Sequence, residues 1–257
     1  MQKIKLNYSN SNSVAKIIFD DGKGNVLDHI MMEDLQQVLN DFAKQPQLKL
    51  ITFEGAGKHF SFGASVEEHK KDAAAAMLRG FHQLFYSMRD LSVPVLSKVS
   101  GQCLGGGMEM ALMCNFIFAD KSAKFGQPEI VLGVFPPPAS MLLPEKIGLA
   151  RAEELLITGK TISADEAKNI GLVNELFDDK NTLESGTNEW IEKNILPKSA
   201  LSLRYAVKAA RAKFNHLLSN FLPQLEHMYV NQLMQTHDAN EGINSFLEKR
   251  KPEWNNT

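Results

Sequence analysis

Two glutamates stand at places where a carboxyl could do proton chemistry. The first ends the run Gly101-Gln102-Cys103-Leu104-Gly105-Gly106-Gly107-Met108-Glu109, with a strand pattern before it and a helical pattern after it. Glycines at a helix start allow close backbone approach. Their free N–H groups, reinforced by the helix dipole, point at whatever sits there. Glu109 falls in the first turn of that helix. The second lies in Gly126-Gln127-Pro128-Glu129-Ile130, where the proline fixes the backbone and holds Gln127 extended. Two such carboxyls suit an acid/base pair, one giving and one taking a proton. Each also has a plainer reading: a glycine turn with a dipole-favoured glutamate, and a solvated or ion-paired Glu129. Spacing alone does not bring them together.

A third segment is His59-Phe60-Ser61-Phe62-Gly63-Ala64-Ser65-Val66-Glu67-Glu68-His69. Residues 63–67 depart from the nucleophile elbow G-x-S-x-G at the last glycine, and no strand runs straight into Ser65, so a serine nucleophile is not expected. His59 and His69 read as polar loop residues. Glycines 105–107 match neither a dinucleotide fingerprint nor a Walker A loop.

The elements that must position these residues follow from periodicity. Residues 3–7 and 14–19 read as a hairpin, 30–42 as a helix, 48–53 as a buried strand, 66–89 as a helix and 94–99 as a strand. A glycine-rich turn at 101–107 leads to a helix from Met108 to Met113, then short strands at 115–119 and 123–125. This alternation implies an α/β core. After Pro144 the pattern is helical almost throughout: 150–158, 163–170, 183–194 and 199–233. The expected organisation is an α/β body over residues 1–195 that carries the site, followed by a helical segment over 196–257. That last segment carries Phe214, Leu217, Leu218, Phe221, Leu222, Leu225, Met228, Tyr229, Leu233 and Met234, more apolar surface than a thin terminal layer buries alone. Self-association is therefore expected.

Composition removes several function classes. The 257 residues are 44% hydrophobic and 23% charged, with 28 Lys+Arg against 30 Asp+Glu. That is the profile of a globular domain, without the basic excess of a nucleic-acid binder. Neither a membrane span nor the apolar core of a signal peptide is found. Cys103 and Cys114 cannot build a disulfide framework, which points to a reducing, cytoplasmic compartment. The seven histidines are scattered without metal-ligand spacing.

Taken together, the three segments resemble the crotonase, or enoyl-CoA hydratase/isomerase, family. The resemblance rests on residues 59–69, Gly-Gly-Gly-x-Glu at 105–109 and Gln-Pro-Glu at 127–129, in that order, with a similar continuation in Ala164–Val173. It implies a spiral of β-β-α units with a helical C-terminal trimerisation domain, assembled as a trimer or hexamer. It implies Glu109 and Glu129 as the catalytic acids, and the N–H groups of Phe62 and Gly106 as an oxyanion hole around a thioester carbonyl. Ser61, Gly63, Ala64, Gly105, Phe135, Pro137 and Lys249 would contact the acyl-CoA substrate, with Arg250 a further candidate for its phosphates. Coenzyme A would be part of the substrate; no metal, redox cofactor, nucleic acid or membrane partner is implied. Retention of both acids favours a hydratase.

Two departures stand out. The family's Ala-Gly-x-Asp is here Phe62-Gly63-Ala64-Ser65, and its glycine-rich stretch after the second glutamate is here Phe135-Pro136-Pro137-Pro138. Prolines should stiffen that wall of the acyl pocket. These features resemble a subgroup acting on a flat cyclic dienoyl thioester. A straight-chain enoyl-CoA hydratase, an isomerase, a thioester hydrolase and a non-enzymatic oligomer are the alternatives.

Overall fold

A computed structural model describes all 257 residues. Strands β1 (Ile4–Ser9) and β2 (Val14–Phe19) form the hairpin, and α1 (His29–Phe42) follows. Asp28 caps α1, accepting from the Met31 N–H at 3.1 Å. Next come β3 (Leu50–Gly55), α2 (Ala74–Leu91), β4 (Val95–Val99), β5 (Gln102–Leu104), α3 (Gly106–Met113), β6 (Phe116–Asp120) and β7 (Lys124–Gly126). The chain continues through α4 (Pro137–Ile147), α5 (Leu149–Thr158), β8 (Thr161–Ser163), α6 (Ala164–Asn169), β9 (Glu175–Phe177), α7 (Lys180–Asn194), α8 (Ala200–Ala210), α9 (Ala212–Asn231) and α10 (His237–Leu247).

One sheet has the order β1-β2-β3-β4-β6-β9, parallel except for the first pair. A second has the order β5-β7-β8. Its β5 and β7 run parallel in the register Cys103–Phe125 and Leu104–Gly126. This short pairing brings the ends of two loops, at Gly105 and Gln127, side by side.

Both faces of the large sheet are covered, and every residue of β4 is buried, Ser97 and Lys98 included. On one face Val14, Leu50, Leu96 and Phe118 pack under Leu183 and Ile191 of α7. The other face belongs to the main core. That core also takes in Leu218, Leu222 and Tyr229 of α9 and Ile243 of α10.

Several expectations need correction. The helix expected over 66–89 begins as a separate 3-10 turn, Val66–His69, and the α-helix starts only at Ala74. The helix expected over 199–233 is two helices, broken at Arg211, whose guanidinium donates to the Met113 carbonyl at 2.6 Å. Within the stretch read as helical, β8 and β9 are strands; three residues are too few for a two-residue period to stand out. Pro137 and Pro138 open α4, because proline's missing N–H costs nothing in a helix's first turn.

Candidate active site

Glu109 sits in the first turn of α3 and is only 4% exposed. Its Oε1 accepts the Ala139 N–H from the start of α4 at 2.9 Å. Burial pushes its carboxyl well above the usual carboxylate range, and the Ala139 bond pulls partly the other way. Glu129 lies in a 3-10 turn, Pro128–Leu132, that directly follows β7. Its carboxyl is raised by burial and further by the negative charge of Glu109. Gln127, fully buried, donates its amide to both Glu129 oxygens at 3.1 and 3.0 Å.

Glycine at 105 is what lets the second carboxyl come in. Gly105 has φ +49°, and a Cβ there would stand 2.7 Å from Glu129 Oε1. The two carboxyls therefore share one site, built from the end of β5 and the end of β7. A buried carboxyl and a half-buried one so placed do not both ionise readily.

Above α3, the loop 61–65 is held by its own backbone bonds. Ser61 Oγ donates to the Asn25 carbonyl at 2.7 Å and accepts the Gly63 N–H at 3.0 Å. The Gly63 carbonyl accepts from Leu27, and the Ser65 N–H donates to the Leu27 carbonyl. The Ala64 N–H, between them, donates to no protein acceptor, and neither does that of Gly106 at the start of α3. The two lie close: a Cβ on Gly106 would stand 3.0 Å from the Ala64 nitrogen.

Several expected contacts change in this light. The Phe62 N–H donates to the Gly24 carbonyl at 2.9 Å, so it is not free; the unpaired N–H of this loop is that of Ala64. The Phe62 ring is accommodated by lying outward, 46% exposed, over Gly24 and edge-on to His59 at 4.8 Å. Ser61 is fully buried and its hydroxyl is engaged, so it holds the loop rather than touching a ligand. Both backbone groups of Gly63 are likewise engaged. The Gly105 N–H donates to Gly126, and its role is to seat Glu129. Pro137 is buried at the α4 start, and Phe135 is half-buried against Tyr229. Lys249 is exposed just beyond the end of α10, whereas the Arg250 guanidinium is engaged by Glu241 and Glu248. His59 accepts the Gln102 N–H at 3.1 Å, and His69 Nδ1 lies 2.7 Å from the Ser65 carbonyl, so both fix the loop. The Ala139 N–H and the Gln127 amide were not singled out from sequence as partners of the two carboxyls. Only the position of Gln127 beside Pro128-Glu129 could have suggested one of them.

Removing the loop's tie has a defined effect. Ser61→Ala strands the buried Gly63 N–H, a loss of about 1–3 kcal/mol. In a domain of this size that lowers Tm by about 3–10 °C in a thermal melt. The carboxyls carry the opposite sign. A carboxyl whose folded pKa is raised favours the fold while protonated, and that advantage is lost as pH rises through the folded pKa. Glu109→Gln therefore raises Tm relative to the parent at about pH 8, with the gap closing toward about pH 4.

Comparisons with known proteins give the family. The family model for enoyl-CoA hydratase/isomerase matches residues 9–257. A cyclohexa-1,5-dienecarbonyl-CoA hydratase of Thauera aromatica is 44% identical over 234 residues, 91% of this chain and 90% of its own length. A probable enoyl-CoA hydratase of Rhizobium meliloti is 34% identical over 90% of this chain and 89% of its own. Among solved structures, an enoyl-CoA hydratase from Bacillus anthracis superposes over the whole of both chains, with a TM-score of 0.78 and 30% identity. One from Mycobacterium avium subsp. paratuberculosis reaches a TM-score of 0.86 over 99% of both chains at 22% identity, which speaks for the fold alone. The expected α/β crotonase fold is borne out, and by sequence and architecture alike this chain belongs to the enoyl-CoA hydratase/isomerase family.

Proposed function

We propose that this enzyme is a hydro-lyase that adds water to an α,β-unsaturated CoA thioester, preferring cyclohexa-1,5-diene-1-carbonyl-CoA in the anaerobic breakdown of benzoyl-CoA. The observation that carries the reaction type is the carboxyl pair, seated together by Gly105, with both groups pushed above the ordinary carboxylate range. The thioester carbonyl accepts the Ala64 and Gly106 N–H groups. There the α3 dipole adds to the backbone donors as enolate charge develops. A water held between Glu109 and Glu129 gives one proton to the carboxylate form while its oxygen bonds to the acceptor carbon. The protonated carboxyl then delivers a proton to the enolate carbon. Water is consumed, the pair is left with its proton on the other glutamate, and return of that proton between the two carboxyls restores the starting state; no cofactor is required beyond the CoA of the substrate.

The ring preference rests on the Thauera aromatica relative and on the aromatic, proline-started wall at Phe135 and Pro137. Lys249, free of the carboxylates that engage Arg250, serves as a contact for CoA phosphates. Self-association, as a trimer or hexamer, is supported by α8, which buries none of its residues within the chain and exposes Leu201 and Tyr205. It is also supported by Phe221 and Met228, which α9 leaves exposed.

Hydration rates on cyclohexa-1,5-diene-1-carbonyl-CoA and crotonyl-CoA at matched concentration test the substrate. A kcat/KM at least about tenfold higher for the diene, some 1.4 kcal/mol in the transition state, is expected. A preference for crotonyl-CoA returns the chain to general straight-chain hydration.

A further inference from the structure

Tyr229 lies on α9, which packs against α4, the helix whose Ala139 N–H holds Glu109. It is 1% exposed, and its ring stands edge-on to Phe135 with centroids 5.5 Å apart. Its hydroxyl has no hydrogen-bond partner in the protein. Buried tyrosine hydroxyls ordinarily find one, because leaving them unpaired is costly. The charges of Glu129 and Glu109 both bear on this hydroxyl and, with burial, hold it protonated. The phenol is thus a neutral donor near both acids, yet beyond hydrogen-bonding distance of either. A ligand oxygen bound beside the carboxyls would satisfy it.

We propose that Tyr229 is a third catalytic residue, whose hydroxyl donates a hydrogen bond to the oxygen being added, first in the attacking water and then in the product alcohol. This rests on the hydration reading above. The water's two hydrogens are directed to the carboxyls and one lone pair to the acceptor carbon. Tyr229 takes the remaining lone pair and so fixes the direction of attack. The phenol keeps its proton throughout: C–O and C–H bonds form, one O–H bond of the water and that of the acidic glutamate break, and the proton taken up by the other glutamate returns between the pair. Phe135, in contact with the same ring, holds the phenol in place.

Tyr229→Phe tests this, since it removes only the hydroxyl. Hydration kcat/KM is expected to fall about tenfold or more, while Tm holds or rises because an unpaired buried group is gone. Binding supplies a readout independent of turnover. The ring alcohol product should bind Tyr229→Phe about tenfold more weakly than the parent, while the same ring thioester lacking the hydroxyl binds both equally. Unchanged kcat/KM with unchanged affinity for the alcohol overturns the proposal and leaves Tyr229 a packing residue. A parent protein that hydrates neither thioester, yet loses affinity for the alcohol when the phenol is removed, sinks the hydration reading while keeping the hydroxyl contact.

Discussion

Replacing either glutamate with glutamine lowers kcat for hydration by about 10²–10⁴-fold, the usual worth of a positioned acid or base. Glutamine at 109 still accepts the Ala139 N–H through its amide oxygen, and glutamine at 129 still faces the Gln127 side chain. Geometry is therefore kept and only proton transfer is lost. Affinity for the CoA thioester should change little. The double variant should lose scarcely more than the weaker single, because the two carboxyls act as a unit and removing either leaves nothing for the other to complete. The pH profile follows the same logic. Activity needs one protonated and one ionised carboxyl, so kcat/KM falls at low pH, where both are protonated, and at high pH, where both are ionised. Because burial raises both groups, the plateau lies above the ordinary carboxylate range. Stopped assays across pH on the parent and both single variants check this, and an additive loss in the double variant contradicts it.

The second large effect concerns the backbone donors. Gly106→Pro removes one N–H at the first position of α3, where the helix itself tolerates proline. Losing one oxyanion donor costs about 10²–10³-fold in kcat. Space near Gly106 is tight, since a Cβ meets the Ala64 nitrogen at 3.0 Å and the Ala64 Cβ at 3.2 Å. Gly106→Ala is thus the necessary control: it adds the same Cβ and keeps the N–H. The account requires Gly106→Pro to be slower than Gly106→Ala by at least about tenfold, with similar Tm values. Equal losses would mean that crowding, rather than a missing donor, slows the reaction.

Much of this was legible from residue types. The two glutamates stand beside residues that only special backbone tolerates, a glycine run and a proline, and those residues mark the turns that seat them. The strands β1 to β4 and the helix α1 also followed from apolar period, because long segments repeat their pattern often enough to be read. What could not be read was set by contacts across the chain. Which N–H is free at 62–64 depends on Gly24 and Leu27 taking the neighbouring bonds, a pairing 36–38 residues away that no local pattern encodes. That the proline run also starts a helix was not read, because proline is a breaker inside helices but a starter at their first turn, and sequence alone did not say which. Tyr229 appeared only as one apolar position among ten on the last helices. Its polar end gained meaning once α9 folded back onto α4.

The central claim is that this carboxyl pair adds water to a CoA thioester. Incubating the parent protein with cyclohexa-1,5-diene-1-carbonyl-CoA in oxygen-18 water, followed by mass analysis of the thioester, tests it most directly. The account predicts a product heavier by one labelled water, with the label on carbon and the thioester intact, and no such product from Glu109→Gln or Glu129→Gln. A thioester of unchanged mass with a shifted double bond, or free CoA with label in a released acid, would contradict it.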